Sequence, residues 1–389
     1  MHDPSTASAG VEVQGRFAGI DVLRGLCILF VILLHIEIRI PIERSAIGAL
    51  LPHPLVSIFF RSGYYGVIIF FVISGFLITS IALRRWPSLD RIDPGRFYWL
   101  RAARILPTLL LVMLALAILH ELQLPGFVIP AGKASLYGVI FAVMTFRVNT
   151  LEASGYFLPA GWGAMWSLSI EELFYVVFPL ACRLLGSERR MVVFLALIAA
   201  IGPIARTHWA DYDDHTYLEC MDGIALGCLA AIAAVRLPVA CSTARALFLV
   251  GLAAVTLVFG FRYETVELGL VRTGLNNTVL EAGIALMLIA MHGGVGATSF
   301  GRGTAALRLL GRSSYEIYLT HSFVTVAMVP LFRMFGHMSR ALQWIPLWYL
   351  AAVSMCVLIG WLFNRAYSEP LNKRLRRWEI LRSRRLEAA

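Results

Sequence analysis

The chain has 389 residues, of which 59% are hydrophobic and only 15% are charged, and its mean hydropathy is +0.74. A soluble protein of this length keeps enough charge to cover its surface, so the composition excludes an ordinary globular enzyme and predicts a polytopic membrane protein. The net charge of +10 does not indicate nucleic-acid binding, because the basic residues concentrate in short loops and in the C-terminal tail. The six cysteines are scattered and form no CxxC pair, so we expect no metal site.

Apolar segments long enough to cross a bilayer recur along almost the whole chain. The predicted spans are 20–38, 63–83, 101–120, 168–185, 191–205, 218–235, 245–261, 276–292, 314–333 and 343–363. Segment 135–147 is too short to span, so we expect it to re-enter or to lie against other helices. The predicted fold is therefore all-α: a polytopic bundle of about ten transmembrane helices plus one short re-entrant or buried segment.

The distribution of charge predicts three regions and an orientation. The polar residues 1–16 are expected to be a disordered N-terminus, 17–365 the membrane domain, and 366–389 a basic tail. Basic loops, such as 84–100 and 183–190, fall on one side of the predicted spans, and the acidic loop "THWADYDDHTY" falls on the other. The positive-inside rule then places both termini in the cytoplasm of a multi-pass protein of the inner (plasma) membrane.

The first span, within "DVLRGLCILFVILLHIE" (21–37), carries two ionisable residues, Arg24 and His35. Eleven positions correspond to about 16 Å and about three turns, so the two side chains share a helix face at different depths and cannot touch. Each also has a structural explanation. Arg24 can pair with Asp21 at the interface, and His35 can be a neutral, hydrogen-bonded residue of the bundle. The costly pair nevertheless indicates a tunnel or wet cavity.

Ser74 and Gly75 interrupt the bulky run "FFVISGFLIT" (70–79) in the second predicted span. Small residues are typical of close helix contacts. A nucleophilic serine would need a neighbouring base, which the sequence alone does not reveal.

Two arginines, Arg101 and Arg104, follow in "RFYWLRAARILP" (96–107) at the predicted cytoplasmic boundary. Positive-inside anchoring explains them without a ligand. They also suit a phosphate-bearing ligand from the cytosol, because a guanidinium group binds phosphate oxygens in pairs.

The stretch "GWGAMWSLSIEELFYVVFP" (161–179) places Glu171 and Glu172 just inside a predicted span, between Trp166 and Tyr175. A carboxylate at that depth pairs with a cation or orients a histidine. Adjacent helical residues diverge by about 100°, so we expect only one of the two glutamates to face a site.

A further polar stretch, "SSYEIYLTHS" (313–322), enters the ninth predicted span with Tyr315, Tyr318 and His321. Hydrogen bonding between helices is the ordinary role of such residues. We therefore expect them to support a site rather than to form it.

Taken in order, these stretches resemble the acyltransferase-3 family of integral-membrane acyltransferases over about residues 17 to 365. The resemblance implies transfer of an acyl group, commonly acetyl from cytoplasmic acetyl-CoA, to hydroxyls of envelope or extracellular polysaccharides or of other small acceptors. Family motif positions fall on Arg24, His35, Ser74, Gly75, Arg101, Arg104, Trp166, Ser167, Leu168, Glu171 and Glu172. The chain departs from the family in two places. The family often has Gln where this chain has Leu173, and it often has a Phe-x-x-Gly stretch near the segment written here as "CMDGIALG", which includes Asp222.

The resemblance leads to a mechanistic hypothesis. Acyl-CoA binds from the cytoplasm with its phosphates near Arg101 and Arg104, and its pantetheine arm passes Arg24 toward His35. Ser74 and Gly75 are also predicted to belong to the donor-binding residues. His35 either takes the proton of the acceptor hydroxyl or accepts the acyl group, while Glu171 or Glu172 fixes its tautomer. The predicted catalytic residues are therefore His35, Glu171, Glu172 and Arg24. The predicted supporting residues are Asp21, Trp166, Ser167, Tyr175, Tyr315, Tyr318 and His321.

The expected partners are membrane lipids and a carbohydrate or lipid-linked saccharide acceptor, without nucleic acid or metal. Homo-oligomer formation, the acceptor and the acyl chain stay open. Two rival functions also fit intramembrane Arg, His and Glu residues: a transporter or flippase without acyl chemistry, and a scaffold with structural polar pairs.

Overall fold

The computed structural model describes residues 4–132, 134–208, 215–296, 302–336 and 341–387. Within these ranges the chain forms α-helices, short 3-10 turns and one π-helical turn, and contains no strand. The α-helices are α1 (Pro4–Glu37), α2 (Ala46–Leu50), α3 (His53–Phe60), α4 (Gly63–Arg85), α5 (Pro94–Glu121), α6 (Leu136–Met144), α7 (Val148–Ala153), α8 (Trp166–Leu185), α9 (Glu188–His208), α10 (Tyr217–Arg236), α11 (Cys241–Gly260), α12 (Arg262–Glu267), α13 (Leu275–His292), α14 (Ala305–Arg312), α15 (Ser314–Gly336), α16 (Ile345–Phe363) and α17 (Glu369–Glu387).

The predicted all-α polytopic bundle is confirmed. In the described parts of the chain, nine helical segments are long and apolar enough to cross a membrane. The predicted span 168–185, which is not among these nine, corresponds to α8, a helix of 20 residues that carries Glu171, Glu172 and Arg183. Helix α6 has nine residues and is too short to cross, in agreement with the short segment predicted there.

The first helix starts within the polar N-terminal segment. Helix α1 begins at Pro4 and continues into the first predicted span. Extending an existing helix avoids the cost of nucleation, so a polar segment can continue an apolar span. Most of the acidic loop, residues 209–214, lies outside the described residues.

Local signals set the start of α5 and the end of α8. These two helices carry Arg101, Arg104, Glu171 and Glu172. Asp93 caps α5 by accepting hydrogen bonds from the backbone N–H groups of Gly95 and Arg96. Helix α8 stops at Gly186, whose positive φ of 58° is a conformation that glycine adopts at little cost.

The most extensive helix contact in the centre of the bundle joins α4 and α10. A methyl group added at Gly75 would collide with the backbone carbonyl of Ile224, and one at Gly227 would collide with that of Val72. Gly75 therefore serves close helix packing, the structural explanation that its sequence context offers.

A buried ion pair explains how an aspartate is tolerated in α10. Arg206 of α9 contacts both carboxylate oxygens of Asp222, at 3.1 and 2.7 Å, and also donates to Thr278 of α13. Asp222, which belongs to the segment "CMDGIALG" where the chain departs from the family pattern, thus takes part in a contact that joins three helices.

The α4–α10 contact leads to a first prediction. Gly75→Ala should lower the free energy of unfolding by about 1–3 kcal/mol, because the added methyl group forces two backbones apart. Thermal unfolding of the purified protein in detergent measures this change. Gly260→Ala is the matched control, because nothing lies within 4 Å of a methyl group there. Equal effects of the two substitutions would contradict the packing role.

Candidate active site

A cavity of about 290 Å³ lies among α1, α4, α5, α8, α15 and α17. Its size is close to the lower end of the range for small-molecule sites. Its charged lining consists of four arginines and two glutamates: Arg24, Arg101, Arg104, Arg376, Glu171 and Glu172. Side chains of α4, including Phe70, Phe71 and Leu77, form an apolar wall.

Glu171 is held by hydroxyl groups from two helices. Ser74 Oγ donates to Glu171 Oε1 at 2.8 Å, and Tyr175 Oη donates to Oε2 at 3.5 Å. Ser74 therefore faces the cavity while its neighbour Gly75 faces α10, so the Ser-Gly pair combines a site contact with helix packing.

Glu172 also lines the cavity, so the expectation that only one of the two glutamates faces a site is wrong. The reason is that the cavity faces a broad side of α8, from Ser167 to Tyr175, which includes both glutamate positions. Glu172 Oε1 is buried and has no hydrogen-bond partner among the described residues. It is the less constrained of the two carboxyl groups.

The cavity arginines differ in what neutralises them. Arg104 forms a two-point ion pair with the fully buried Glu316 at 2.6 and 3.3 Å, and it also donates to Ser368. Arg101 instead lies over the ring of Tyr175, with its guanidinium carbon 3.6 Å from the ring centre, and its Nε has no hydrogen-bond partner in the described chain.

Arg24 donates from Nη2 to Ser314 Oγ at 2.8 Å. The partner considered from the sequence, Asp21, forms its ion pair with Arg312 at 3.1 Å instead. Asp21 does not line the cavity. Thus, within the described ranges, Arg104 alone among the four cavity arginines has a carboxylate at ion-pair distance.

His35 lies outside the cavity lining, next to a second histidine. Its ring packs edge-on against that of His321, with 4.6 Å between the centroids. Nδ1 of His35 is 2.8 Å from the carbonyl of Val31, and Nδ1 of His321 is 2.6 Å from that of Tyr318. A carbonyl only accepts hydrogen bonds, so we assign the proton of each ring to Nδ1, which leaves Nε2 as the basic nitrogen.

The expected hydrogen bond between His35 and Glu171 or Glu172 is absent from the described structure. Glu171 is instead bound by Ser74 and Tyr175, and the backbone of α1 sets the tautomer of His35. The physical reason is helix register, because the Nδ1 atom of a helical histidine lies within reach of the carbonyl one turn earlier.

Tyr318 connects the cavity to the histidine pair. It lines the cavity, and its ring centre is 5.8 Å from that of His321. Its hydroxyl donates to the carbonyl of Ala164 at 2.8 Å and can accept from Ser167 Oγ at 2.7 Å. The sequence-predicted residues therefore occupy two adjoining layers. One is the cavity layer, with the arginines and the two glutamates, and the other is the histidine layer, with His35 and His321.

Most of the remaining sequence-predicted residues line the same cavity. Ser167, Tyr175 and Tyr315 belong to its wall. Trp166 does not, because its ring packs against those of Tyr64, Phe71 and His215.

Three polar residues of the site were not found by sequence reasoning: Ser314, Glu316 and Arg376. Glu316 had a signal, since a lone acidic residue entering a span is costly unless it is paired. Arg376 had no such signal, because Arg374 and Arg377 are also arginines and lie beside it in the same basic tail.

An all-helical membrane bundle that collects arginines, carboxyl groups and hydroxyls around one cavity is a protein equipped to bind a polar, anionic group. The acyltransferase-3 family model, described as an acyltransferase domain, matches residues 17–366. The chain therefore belongs to this family of acyltransferases, and the family predicted from the ordered motifs is confirmed.

Curated proteins similar to this chain include O-acetyltransferases. O-acetyltransferase OatA of Staphylococcus aureus (strain NCTC 8325 / PS 47) is 21% identical over 373 residues, covering 92% of this chain and 57% of that protein. Peptidoglycan O-acetyltransferase OatA of Listeria monocytogenes serovar 1/2a is 27% identical over 165 residues, covering 41% of this chain and 23% of the relative. The chain thus spans little more than half the length of the S. aureus relative, and no solved structure matches it.

The Arg104–Glu316 ion pair leads to a second prediction. Glu316→Gln should destabilise the protein by about 3–5 kcal/mol, because it leaves a half-buried guanidinium without its countercharge. The double variant Arg104→Gln/Glu316→Gln should recover much of that loss, since both charges are then gone. Thermal unfolding of the two single variants and the double variant gives the coupling energy. Strictly additive losses would show that the two residues stabilise the fold independently.

Proposed function

We propose that this chain is a membrane O-acyltransferase that moves an acyl group, most simply acetyl, from acyl-CoA to a hydroxyl of a cell-envelope or extracellular carbohydrate. The observation that carries the proposal is the cavity, in which arginines from α1 and α5 share one space with the two carboxyl groups of α8. Membership of the acyltransferase-3 family supports acyl transfer. The relatives' names, O-acetyltransferase and peptidoglycan O-acetyltransferase, support an acetyl group and a glycan acceptor.

The cavity arginines suit the phosphates of acyl-CoA. Arg24 and Arg101 have no carboxylate at ion-pair distance in the described residues, so their charges are available to an anion. Paired hydrogen bonds from guanidinium groups to phosphate oxygens are strong and directional. Arg101 and Arg104 follow the basic loop 84–100, and the positive-inside rule supports a cytoplasmic position for this loop and for the basic loop 183–190.

The net reaction moves one proton from the acceptor hydroxyl to the leaving thiolate and needs no oxidant. The acceptor oxygen attacks the thioester carbonyl carbon, the carbon–sulfur bond breaks, and the hydroxyl proton ends on the departing CoA thiolate. The products are an ester and free CoA. A base that takes the proton early and returns it late therefore suffices.

His35 is the residue we assign to this proton transfer. Its Nδ1 is committed to Val31, so Nε2 is the nitrogen that accepts a proton or, in the covalent version, the acyl group. His35 adjoins the cavity through His321 and Tyr318. The donor thus lies in the cavity layer, and the acceptor approaches from the layer of the histidines.

Glu171 and Glu172 then act on the donor side rather than on His35. Glu171 accepts a hydrogen bond from Ser74 and places that hydroxyl at the cavity wall. The two carboxyl groups balance the charge of Arg24 and Arg101 while the site is empty. This arrangement keeps four arginines in one cavity without an excessive electrostatic cost.

The proposed role of His35 leads to a third prediction. His35→Gln should reduce glycan acylation by about 10²–10⁴-fold, the usual contribution of a general acid or base. Mass spectra of envelope glycans from cells that lack the gene, or that carry the wild-type or variant gene, measure the added acyl mass. Binding of acetyl-CoA to the purified variant should persist, because the phosphate-binding arginines are intact.

His53→Gln is the matched control, since His53 begins the short helix α3 and is exposed. Wild-type acylation by His35→Gln would refute the catalytic assignment. Glycans that are identical with and without the gene, together with no binding of acetyl-CoA, would instead favour the flippase hypothesis.

A further inference from the structure

The C-terminal helix α17 lies against the cavity rather than standing apart as a free basic tail. Trp99 Nε1 donates to the carbonyl of Leu375 at 3.1 Å, and the rings of Trp99 and Trp378 are 5.0 Å apart. Arg96 forms an ion pair with Glu379 at 3.2 Å. Three contacts of different chemistry thus hold this part of α17 against the start of α5.

The connection into α17 is fixed as well. A single π-helical turn, Asn364–Ser368, joins α16 to α17. Ser368 at its end is buried, donates to Glu316 at 2.6 Å, and accepts from Arg104 at 3.1 Å. Helix α17 therefore starts at the ion pair that anchors α5 to α15.

This placement brings Arg376 to the cavity. Arg376 lines the cavity together with Arg24, Arg101 and Arg104. Its Nε donates to Asn372 Oδ1, one turn earlier, at 2.9 Å. The described structure gives Arg376 no carboxylate at ion-pair distance, and its neighbours Arg374 and Arg377 do not line the cavity.

Four guanidinium groups share the cavity with Glu171 and Glu172, and only Arg104 has a carboxylate, that of Glu316, at ion-pair distance in the described residues. Such an arrangement is stabilised by a ligand that carries several negative charges. Acyl-CoA carries a pyrophosphate and a ribose phosphate at the end opposite its thioester. Arg104 is already paired with Glu316, so the arginines left to meet the ligand's charge are Arg24, Arg101 and Arg376 of α17.

We propose that Arg376 binds a phosphate of the acyl-CoA nucleotide, so that α17 forms one wall of the donor site. The inference rests on the proposed function, because it names a further residue for the same donor. It adds that the C-terminal helix takes part in donor recognition.

The test compares two donors that differ only in the nucleotide. Isothermal titration of the purified protein in nanodiscs gives the dissociation constants of acetyl-CoA and of S-acetyl-pantetheine, which has the same thioester arm without the phosphates. For Arg376→Gln we expect the dissociation constant of acetyl-CoA to rise about tenfold or more, the usual effect of losing one hydrogen-bonded charge. The dissociation constant of S-acetyl-pantetheine should not change.

Arg374→Gln and Arg377→Gln are matched controls on the same helix and should bind acetyl-CoA as the wild type does. Arg376→Lys keeps the charge but not the paired geometry, so it should fall between the wild type and Arg376→Gln. It also serves as the test variant if the glutamine variant does not fold. Equal affinity of wild type and both Arg376 variants for acetyl-CoA would overturn the inference, and so would an equal loss for both donors, which indicates a structural role.

Two further outcomes would also overturn the assignment of Arg376 to the donor. A wild-type protein that binds neither donor would overturn the proposed function itself, whatever Arg376 does. An effect of Arg376→Gln that appears in nanodiscs of anionic lipid and vanishes in neutral lipid would assign the residue to a lipid headgroup instead of the donor.

Discussion

The contact between Arg104, Glu316 and Ser368 is the constraint on which the rest of the site depends. It joins α5, α15 and the turn that leads into α17, and Glu316 is completely buried. Removing the partner of a buried charge is strongly destabilising, so separating these three segments would carry a large cost. Arg101 lies one turn before Arg104 on α5, Tyr315 is next to Glu316, and Arg376 follows Ser368 by two turns. One ion pair thus fixes the positions of three further residues of the cavity wall.

The sequence predicted the fold because hydrophobic length is the dominant signal in a membrane protein, and it predicted the cavity residues in part because ionisable groups in a span are expensive. Arg24, Glu171 and Glu172 were all found in this way. Partner choice was harder to predict. Asp21 pairs with Arg312, which is distant in sequence, rather than with Arg24, and His35 bonds to its own helix rather than to a glutamate. Such choices depend on tertiary contacts that spacing along one helix does not encode.

The two-layer arrangement has a consequence for mechanism. Arg24 and His35 both contact α15, through Ser314 and His321. Only Arg24 lines the cavity, and Tyr318 lies on the wall next to His321. Under our proposal, the donor occupies the layer of arginines and carboxyl groups, and the acceptor occupies the layer of the histidines. The thioester must then reach the boundary at Tyr318 for transfer to occur.

Our central claim is that the cavity holds the acyl-CoA donor. A cryo-electron microscopy reconstruction of the full chain in nanodiscs with CoA tests it most directly, because the phosphates are the strongest features of the ligand. We predict density for the pyrophosphate between Arg101 and Arg376, with the pantetheine arm running past Arg24 toward Tyr318. Density for CoA elsewhere on the bundle, with the cavity unchanged from the ligand-free protein, would contradict the claim.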